Sequence, residues 1–392
     1  MKGCFFKRGK TWSYTIDVGV DPTTGERKQK GKGGFATKKA AQLAAALIMQ
    51  ELEAGTYQDE NKILFKDFAE EWLKLYAGTG KVKISTVRVR RHEMGALMPY
   101  FANIQLRHIT KRAYQNALNG LKEEEYALNT MKGINRTGKM IFEKAMEMGI
   151  IKTDPTIYAQ VPVVQKTVEE LEEEGEIPKY LEKQELALLL QTARDKGITW
   201  DYPMFLLLAY SGMRVGEVLA LKWKDINSET GEINITKTYY NPTNNMVKFH
   251  LLPPKTKTSR RVITVDPIVS AELDKHRSYQ NIVKMKFRKV YFDKDFVFTK
   301  YEKNPGYPEL IKIVETRMAR LLKLAGLNTD LTPHSLRHTH TSLLAEAGVD
   351  LTQIMERLGH SDDQTTKGIY LHVTKTMKKE ASQKFAQLME SL

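Results

Sequence analysis

Thr332-Pro333-His334-Ser335-Leu336-Arg337-His338-Thr339-His340, followed by Leu358-Gly359-His360 and then Tyr370, is the stretch on which the fold of this chain turns. Apolar spacing through it predicts short helices near 335–347, 351–358 and 363–371. Working back from it, Ser211-Gly212-Met213-Arg214-Val215-Gly216-Glu217 opens a helix predicted over 214–221, after helices at 182–194 and 201–210. Strands are expected near 232–239, 246–252 and 260–265, separated by the turns Asn241–Asn245 and Pro253–Ser259. Helices at 267–283 and 307–326 complete the pattern. Residues 177–392 therefore read as a mostly helical domain with a small antiparallel sheet inserted in it.

Upstream the pattern changes twice. Residues 1–58 form a small basic α+β unit, expected as a three-stranded sheet plus a helix. Trp12, Tyr14, Ile16 and Val18 alternate with polar residues, Asp21–Gly25 is a turn, and Thr37 caps an Ala-rich helix running to about Ala54. Residues 1–40 hold ten Lys/Arg and three Asp/Glu, hence 10 − 3 = +7. Lys7, Arg8, Trp12, Tyr14, Arg27, Lys28 and Lys30 are candidate nucleic-acid contacts, although the aromatics could equally line a core under the helix. Residues 62–160 read as all-helical. Phe65, Phe68, Ala69, Trp72, Leu73 and Tyr76 mark a first helix, and Ser85 or Thr86 is expected to cap a second carrying Arg88, Arg90 and Arg91. Two more run from Ala113 to Leu121 and from Leu128 to Met148, the last bearing Arg136 and Lys139. Those five cations are candidate DNA contacts or a solvated helix face. Residues 161–176, with six glutamates in Glu169–Glu176, read as an acidic linker because like charges resist packing.

At 392 residues and 41% hydrophobic, the chain is expected to bury two or three cores. Lys+Arg 61 against Asp+Glu 47 gives +14, a balance that favours a polyanionic partner, nucleic acid before membrane. One cysteine, Cys4, excludes an intramolecular disulfide, and the apolar run Met204–Tyr210 is far too short to span a bilayer. The start of the chain has no apolar signal-peptide core, and a cytoplasmic location in a bacterial host is expected.

Arg214, Arg337, two histidines and Tyr370 make chemical sense as one site. A phenol titrates near ~10 and is a poor nucleophile until cations or a base lower the cost of its anion. Phosphoryl transfer develops charge on equatorial oxygens, where planar guanidinium forks fit well.

In combination, Arg214 within Gly212-x-Arg214-x-Gly216-Glu217, a hairpin lysine, His334-x-x-Arg337, Gly359-His360 and a tyrosine ten residues on resemble the tyrosine recombinases, specifically the integrases of phages and conjugative elements. The order of a basic module, a helical module and this domain is similar to that family's arm-binding, core-binding (SAM-like) and catalytic domains. The resemblance implies that Arg214 and Arg337 hold the non-bridging oxygens of a scissile phosphate. It implies a general base at His334, a phosphate hydrogen bond from His360 and a nucleophile at Tyr370, with Glu217 in support. Lys257 is the choice for the lysine that protonates the departing 5′ oxygen, with Lys255 as rival. His338 and His340 fall outside the pattern, and His338 is expected to be a satisfied core histidine. An apolar stripe at Val373, Met377, Ala381, Phe385, Leu388 and Leu392 must bury somewhere, and in the family such tails dock on a neighbouring protomer.

The resemblance implies metal- and ATP-independent cutting and rejoining of double-stranded DNA at core and arm attachment sites. It further implies a tetramer on DNA assisted by DNA-bending and excision proteins, with no cofactor and no membrane. Two other readings compete. A metal-dependent nuclease would use His334, His338, His340 and His360, but only Asp362 and Asp363 lie close in sequence to supply carboxylates. A type IB topoisomerase shares the tyrosine and arginine logic but has no need of a separate basic N-terminal module.

Overall fold

The computed structural model describes residues 3–20, 25–54, 62–163, 180–254, 257–359, 364–373 and 389, with no side-chain description at 257. It falls into two compact units, Met1–Lys166 and Thr167–Leu392.

The first unit begins with an antiparallel sheet of order β1-β2-β3, formed by Cys4–Arg8, Thr11–Val20 and Arg27–Phe35. The alternation along β2 sends Tyr14 and Ile16 to one face, where they pack on Ala41 and Ala45 of α1 (Lys38–Glu53). Alanine at both positions lets the helix lie close to the sheet. Thr37 caps α1 as expected, its hydroxyl accepting from the Ala40 amide at 3.2 Å. The helices α2 (Phe65–Gly78), α3 (Ile84–Phe101), α4 (Lys111–Glu123) and α5 (Leu128–Glu147) close on a separate core. Phe65 and Phe101, Phe65 and Phe142, and Phe101 and Tyr114 pack ring to ring at its centre. One boundary differs from expectation. Lys83 occupies the N-cap of α3 without a side-chain hydrogen bond, so Ser85 and Thr86 fall inside the first turn rather than before it.

The second unit is helical around a small sheet. Its core is built on α7 (Asp201–Ser211), which is apolar nearly all round and buried on nearly every side, as a central helix must be. Around it lie α6 (Lys183–Lys196), α8 (Val215–Ala220), α9 (Pro267–Lys286), α10 (Ile311–Ala325), α11 (Pro333–Glu346) and α12 (Leu351–Leu358). A last helix covers 364–373. The sheet orders β4-β5-β8 as Ile226–Asn227, Glu232–Ile235 and Arg261–Thr264, all antiparallel, with Ile233 opposite Ile263. The strand expected over 232–239 is broken after Ile235. Its second part, β6 (Thr238–Tyr240), pairs instead with β7 (His250–Leu252) as a separate hairpin. The architecture is the mainly α fold with small antiparallel sheets that the sequence pattern implies. No helix among the described residues is long and apolar enough to cross a membrane.

The acidic run, the turn residues 21–24, Lys255, His360 and the tail positions Met377, Ala381, Phe385, Leu388 and Leu392 lie outside the described residues.

Candidate active site

α7 must stop where α8 begins, and Gly212 does this in the left-handed region, φ 61°. Nothing larger fits. A Cβ there would lie 2.6 Å from His340 Cδ2 and 2.8 Å from Leu358 Cδ2. The turn that presents Arg214 is thus pressed against both α11 and the end of α12. Arg337, on α11 and only 2% exposed, fastens these parts together. Its Nη1 donates to the Gly212 carbonyl and its Nη2 to the Leu358 carbonyl, each at 2.7 Å. Both acceptors are neutral, so these bonds hold the guanidinium without cancelling its charge. Gly212 lies two residues before Arg214, and Leu358 lies two before His360. One buried side chain therefore gathers three of the motifs singled out in the sequence.

Arg214 sits at the N-cap of α8 with its side chain 37% exposed. Its Nη1 donates to Glu217 Oε1 at 3.0 Å, and its backbone amide to Glu217 Oε2 at 3.0 Å. Glu217 is buried and shared. Arg261 donates to it through Nη2 at 3.0 Å and Nη1 at 3.3 Å. Burial pushes the Glu217 carboxyl up, but the hydrogen bonds and charge of Arg261, with the amide and charge of Arg214, outweigh it and hold the pKa below its ordinary value.

Arg261 also donates from Nε to the Arg357 carbonyl at 2.7 Å, which ties the start of β8 to the last turn of α12. Gly359, in the left-handed region at φ 71°, lies against the same segment, where a Cβ would be 3.1 Å from Ser259 Cα and from the Thr258 carbonyl. Lys257 opens the 3-10 turn Lys257–Ser259 that runs into β8, so the backbone bearing this lysine borders the Gly359 turn. Beside these elements opens a cleft of about 1040 Å3 lined by Arg260, Arg261, Arg357 and Lys367, with Glu356 the one carboxylate on its wall among the described residues.

His334 is exposed on the first turn of α11 and meets His338 edge to face, ring centroids 4.8 Å apart. His338 is half-buried and does not sit in the core. The satisfied core histidine is His340, because position 340, unlike 338, turns inward toward α7. Its Nδ1 is 2.9 Å from the Ala209 carbonyl, and its Nε2 accepts from Arg357 Nε at 3.0 Å. Burial, then the charge of Arg357, push its pKa down to about 4. Tyr370, on the 364–373 helix, packs partly buried against Ala345, Ile354, Leu358 and Val373. That cluster shares Leu358 with the arginine-bearing turn. Val373, the first residue of the tail stripe, is buried in it.

The candidate DNA contacts divide. Lys7, Arg8, Arg27, Lys28, Arg88, Arg91 and Arg136 are exposed, and Trp12, Lys30 and Lys139 half-buried. Arg27 pairs with Asp17 at 3.6 Å, Arg91 with Glu70 at 3.1 Å, and Lys38 lies over the Trp12 ring. Two candidates are corrected. Tyr14 is 1% exposed, packed beneath α1 against Phe35, so it supports the sheet and offers nothing to a groove. Arg90 donates to Glu93 at 2.5 Å and to Thr137 at 3.0 Å with only 12% of its side chain exposed, which makes it a strut between α3 and α5.

Sequence reasoning passed over Arg261, Arg357 and His340 as parts of the site. Arg261 had a signal: two residues before Ile263, it shares the inward face of a strand and so requires buried acceptors, which Glu217 and the Arg357 carbonyl supply. Arg357 bonds its charge to backbone carbonyls, which carry no sequence signature. Among the described residues no group of three His, Cys, Asp or Glu is arranged to hold a metal ion, and both nitrogens of His340 are engaged.

Comparison with known proteins gives the same organisation. Residues 179–377 match the phage integrase family, residues 6–52 an arm DNA-binding domain, and residues 64–122 the N-terminal SAM-like domain of phage integrases. The integrase of Staphylococcus phage L54a is 27% identical over 355 residues, covering 87% of this chain and 98% of its own. The ICEBs1 integrase of Bacillus subtilis strain 168 is 25% identical over 395 residues, covering 98% and 99%. Among solved structures, the Tn1549 transposon integrase in complex with transposon right end DNA has a TM-score of 0.61 at 21% identity, covering 82% of this chain and all of that one, a likeness of fold.

Proposed function

Because the chain belongs to the phage integrase family and is a tyrosine recombinase, we propose that it integrates and excises a mobile element through a metal-free 3′-phosphotyrosyl intermediate formed at Tyr370. The observation that carries this reading is the double anchor of Arg337 on the Gly212 and Leu358 carbonyls, which holds a buried cation beside the turn of Arg214. Arg214 and Arg337 take the non-bridging oxygens of the scissile phosphate, each worth on the order of 3 kcal/mol in a water-poor site. Tyr370 Oη attacks phosphorus, passing its proton to His334. The P–O5′ bond breaks, and the leaving 5′ oxygen takes a proton from Lys257, with Lys255 the alternative donor. His360 steadies the phosphate. A 5′ hydroxyl from the partner duplex then attacks the phosphotyrosine and releases Tyr370. The ester bond energy is conserved, so no ATP is consumed.

Domain roles follow from the same reading. Residues 1–58 bind arm-type sites through Lys7, Arg8, Trp12, Arg27, Lys28 and Lys30. Residues 62–160, with Arg88, Arg91, Arg136 and Lys139, and residues 177–392 bind the core-type site, joined by the acidic linker 161–176. Solved lambda integrase structures contain a dimer on a core site and a tetramer on a Holliday junction, and a tetramer on DNA is the assembly proposed for this chain. DNA-bending and excision proteins would set direction, in the nucleoid of a bacterial cytoplasm.

The test is covalent capture. Wild-type protein and Tyr370→Phe are incubated with fragmented host and element DNA in excess EDTA, adducts are isolated under denaturing conditions, and the attached ends are sequenced. An adduct formed in EDTA and lost with Tyr370→Phe is expected. No adduct, with cutting restored by Mg2+ or Mn2+, would instead establish a histidine-metal nuclease.

A further inference from the structure

Arg357 makes a set of bonds that packing alone does not require. Its Nε donates to His340 Nε2 at 3.0 Å, and its Nη2 donates to the Tyr210 carbonyl at 3.1 Å and the Thr264 carbonyl at 3.0 Å. Those acceptors belong to α11, α7 and the end of β8. Its own carbonyl accepts from Arg261, the partner of Glu217. Among the described residues no carboxylate lies within ion-pair distance of it. Among the described residues, every acceptor of this guanidinium is neutral, and it stands at the junction of four elements.

The partners fix the state of His340. The Ala209 carbonyl can only accept, so Nδ1 must carry the proton. Arg357 Nε can only donate, so Nε2 must present its lone pair. The imidazole is therefore neutral and held as a single tautomer, which the charges of Arg357 and Arg337 both favour over the imidazolium. Ala209 and Tyr210 belong to the last turn of α7, which Gly212 ends and from which Arg214 follows. Arg357 is two residues before Gly359 and three before His360. The two ends of the phosphate-handling machinery are thus joined by a second bridge, Ala209–His340–Arg357, in addition to the Arg337 bridge.

We propose that Arg357 and His340 form a positioning pair that sets the Arg214 turn against the Gly359 turn, so that the DNA-bound enzyme reaches cleavage geometry. Neither residue touches the reacting atoms. The inference rests on the recombinase reading above and concerns the bond-breaking step rather than DNA affinity. A displacement of about 1 Å at a reacting centre can cost on the order of a hundredfold in rate.

The duplex captured by the wild-type protein serves as probe. Single-turnover adduct formation is followed against protein concentration for wild type, Tyr370→Phe, Arg357→Ala, Arg357→Lys and His340→Asn, with DNA binding measured in parallel. Arg357→Ala should lower the saturating rate by about tenfold to a hundredfold while the half-saturating concentration stays within about twofold. Millimolar guanidinium, entering the space the side chain vacates, should recover part of that rate, and Arg357→Lys should fall between, since an ammonium cannot reach three acceptors in one plane. Nitrogen-15 spectra without DNA should place the wild-type His340 proton on Nδ1, and in Arg357→Ala its titration should move to higher pH. A saturating rate within twofold of wild type, a loss of DNA affinity as large as the loss of rate, or failure of guanidinium to rescue would each overturn the proposal. If wild type forms no Tyr370-dependent adduct, the recombinase mechanism has failed instead, and the tautomer measurement still decides whether the pair exists as described.

Discussion

Glu217 answers for two cations at once, and its burial decides how much that matters. The carboxylate is 4% exposed and Arg261 6%, whereas Arg214 is 37% exposed. Removing the carboxylate leaves Arg261 buried without its counter-charge, while Arg214 can turn to water. Glu217→Ala should therefore lower stability by about 3–5 kcal/mol, and Glu217→Gln, which keeps an acceptor, by less. The pH dependence has a definite sign. The folded pKa of Glu217 lies below its ordinary value, so its stabilisation is complete above the unfolded carboxylate range, near ~4.3, and is lost as pH falls through the lower folded value. Denaturant unfolding of wild type and Glu217→Gln should differ by a constant amount around neutral pH and converge in acid. A gap that persists unchanged to about pH 3 would mean that the Glu217 carboxyl titrates alike in the folded and unfolded protein, so that its arginine partners do not lower its pKa. The same substitution frees Arg214 to swing, so adduct formation should fall even where stability is restored by a mild stabilising salt.

Among the elements, the end of α7 is the one whose geometry the site depends on. Gly212 closes that helix at positive φ and is also crowded, whereas Gly326 closes α10 at φ 68° with no heavy atom near an added Cβ. The two glycines separate conformational cost from steric cost. Gly326→Ala should lose only the left-handed term, about 1–2 kcal/mol. Gly212→Ala should lose that and a further overpacking term of about 1–3 kcal/mol, because His340 and Leu358 cannot both withdraw. Because the Gly212 carbonyl holds Arg337, Gly212→Ala should also depress cleavage, and thermal unfolding of both variants beside the capture assay reads the two effects apart. Equal destabilisation by the two substitutions would contradict the close packing at Gly212. The helices themselves were legible because their apolar residues recur at helical spacing, as in α2 and α12. The sheet was legible in outline, but the break after Ile235 was not, since Thr236 and Lys237 continue a plausible strand pattern. Tyr14 and Arg90 were misread because part of what buries each side chain lies far along the chain, although Arg90 also has a local partner in Glu93. Thr137 is 47 residues from Arg90, and α1 folds back over Tyr14. Sequence gives a charge or a ring its local neighbours only.

For the whole molecule, the decisive quantity is the distribution of its +14 charge. Residues 1–40 hold +7 of it, much on β1 and β3, where Lys7, Arg8, Arg27 and Lys28 are exposed while the aromatic face is turned under α1. With Tyr14 withdrawn from the surface, DNA contact by this unit leans chiefly on its exposed cations, with Trp12 only half-buried. Such binding is driven by counterion release, so the logarithm of the association constant should fall linearly with the logarithm of salt, by about 0.9 for each phosphate neutralised on duplex DNA. Lys7→Gln, Arg27→Gln and Lys28→Gln combined should then make that slope shallower by about 3 on DNA that carries an arm-type site. On a duplex with the core-type site alone the slope should not change, and adduct formation at Tyr370 there should continue at the wild-type rate. Titrations of labelled duplexes at several salt concentrations measure both. A slope unaltered on arm-site DNA would return these three side chains to solvent. A slope altered equally on both duplexes would mean that the unit grips DNA without regard to site, and site choice would then have to come from residues 62–160 and 177–392.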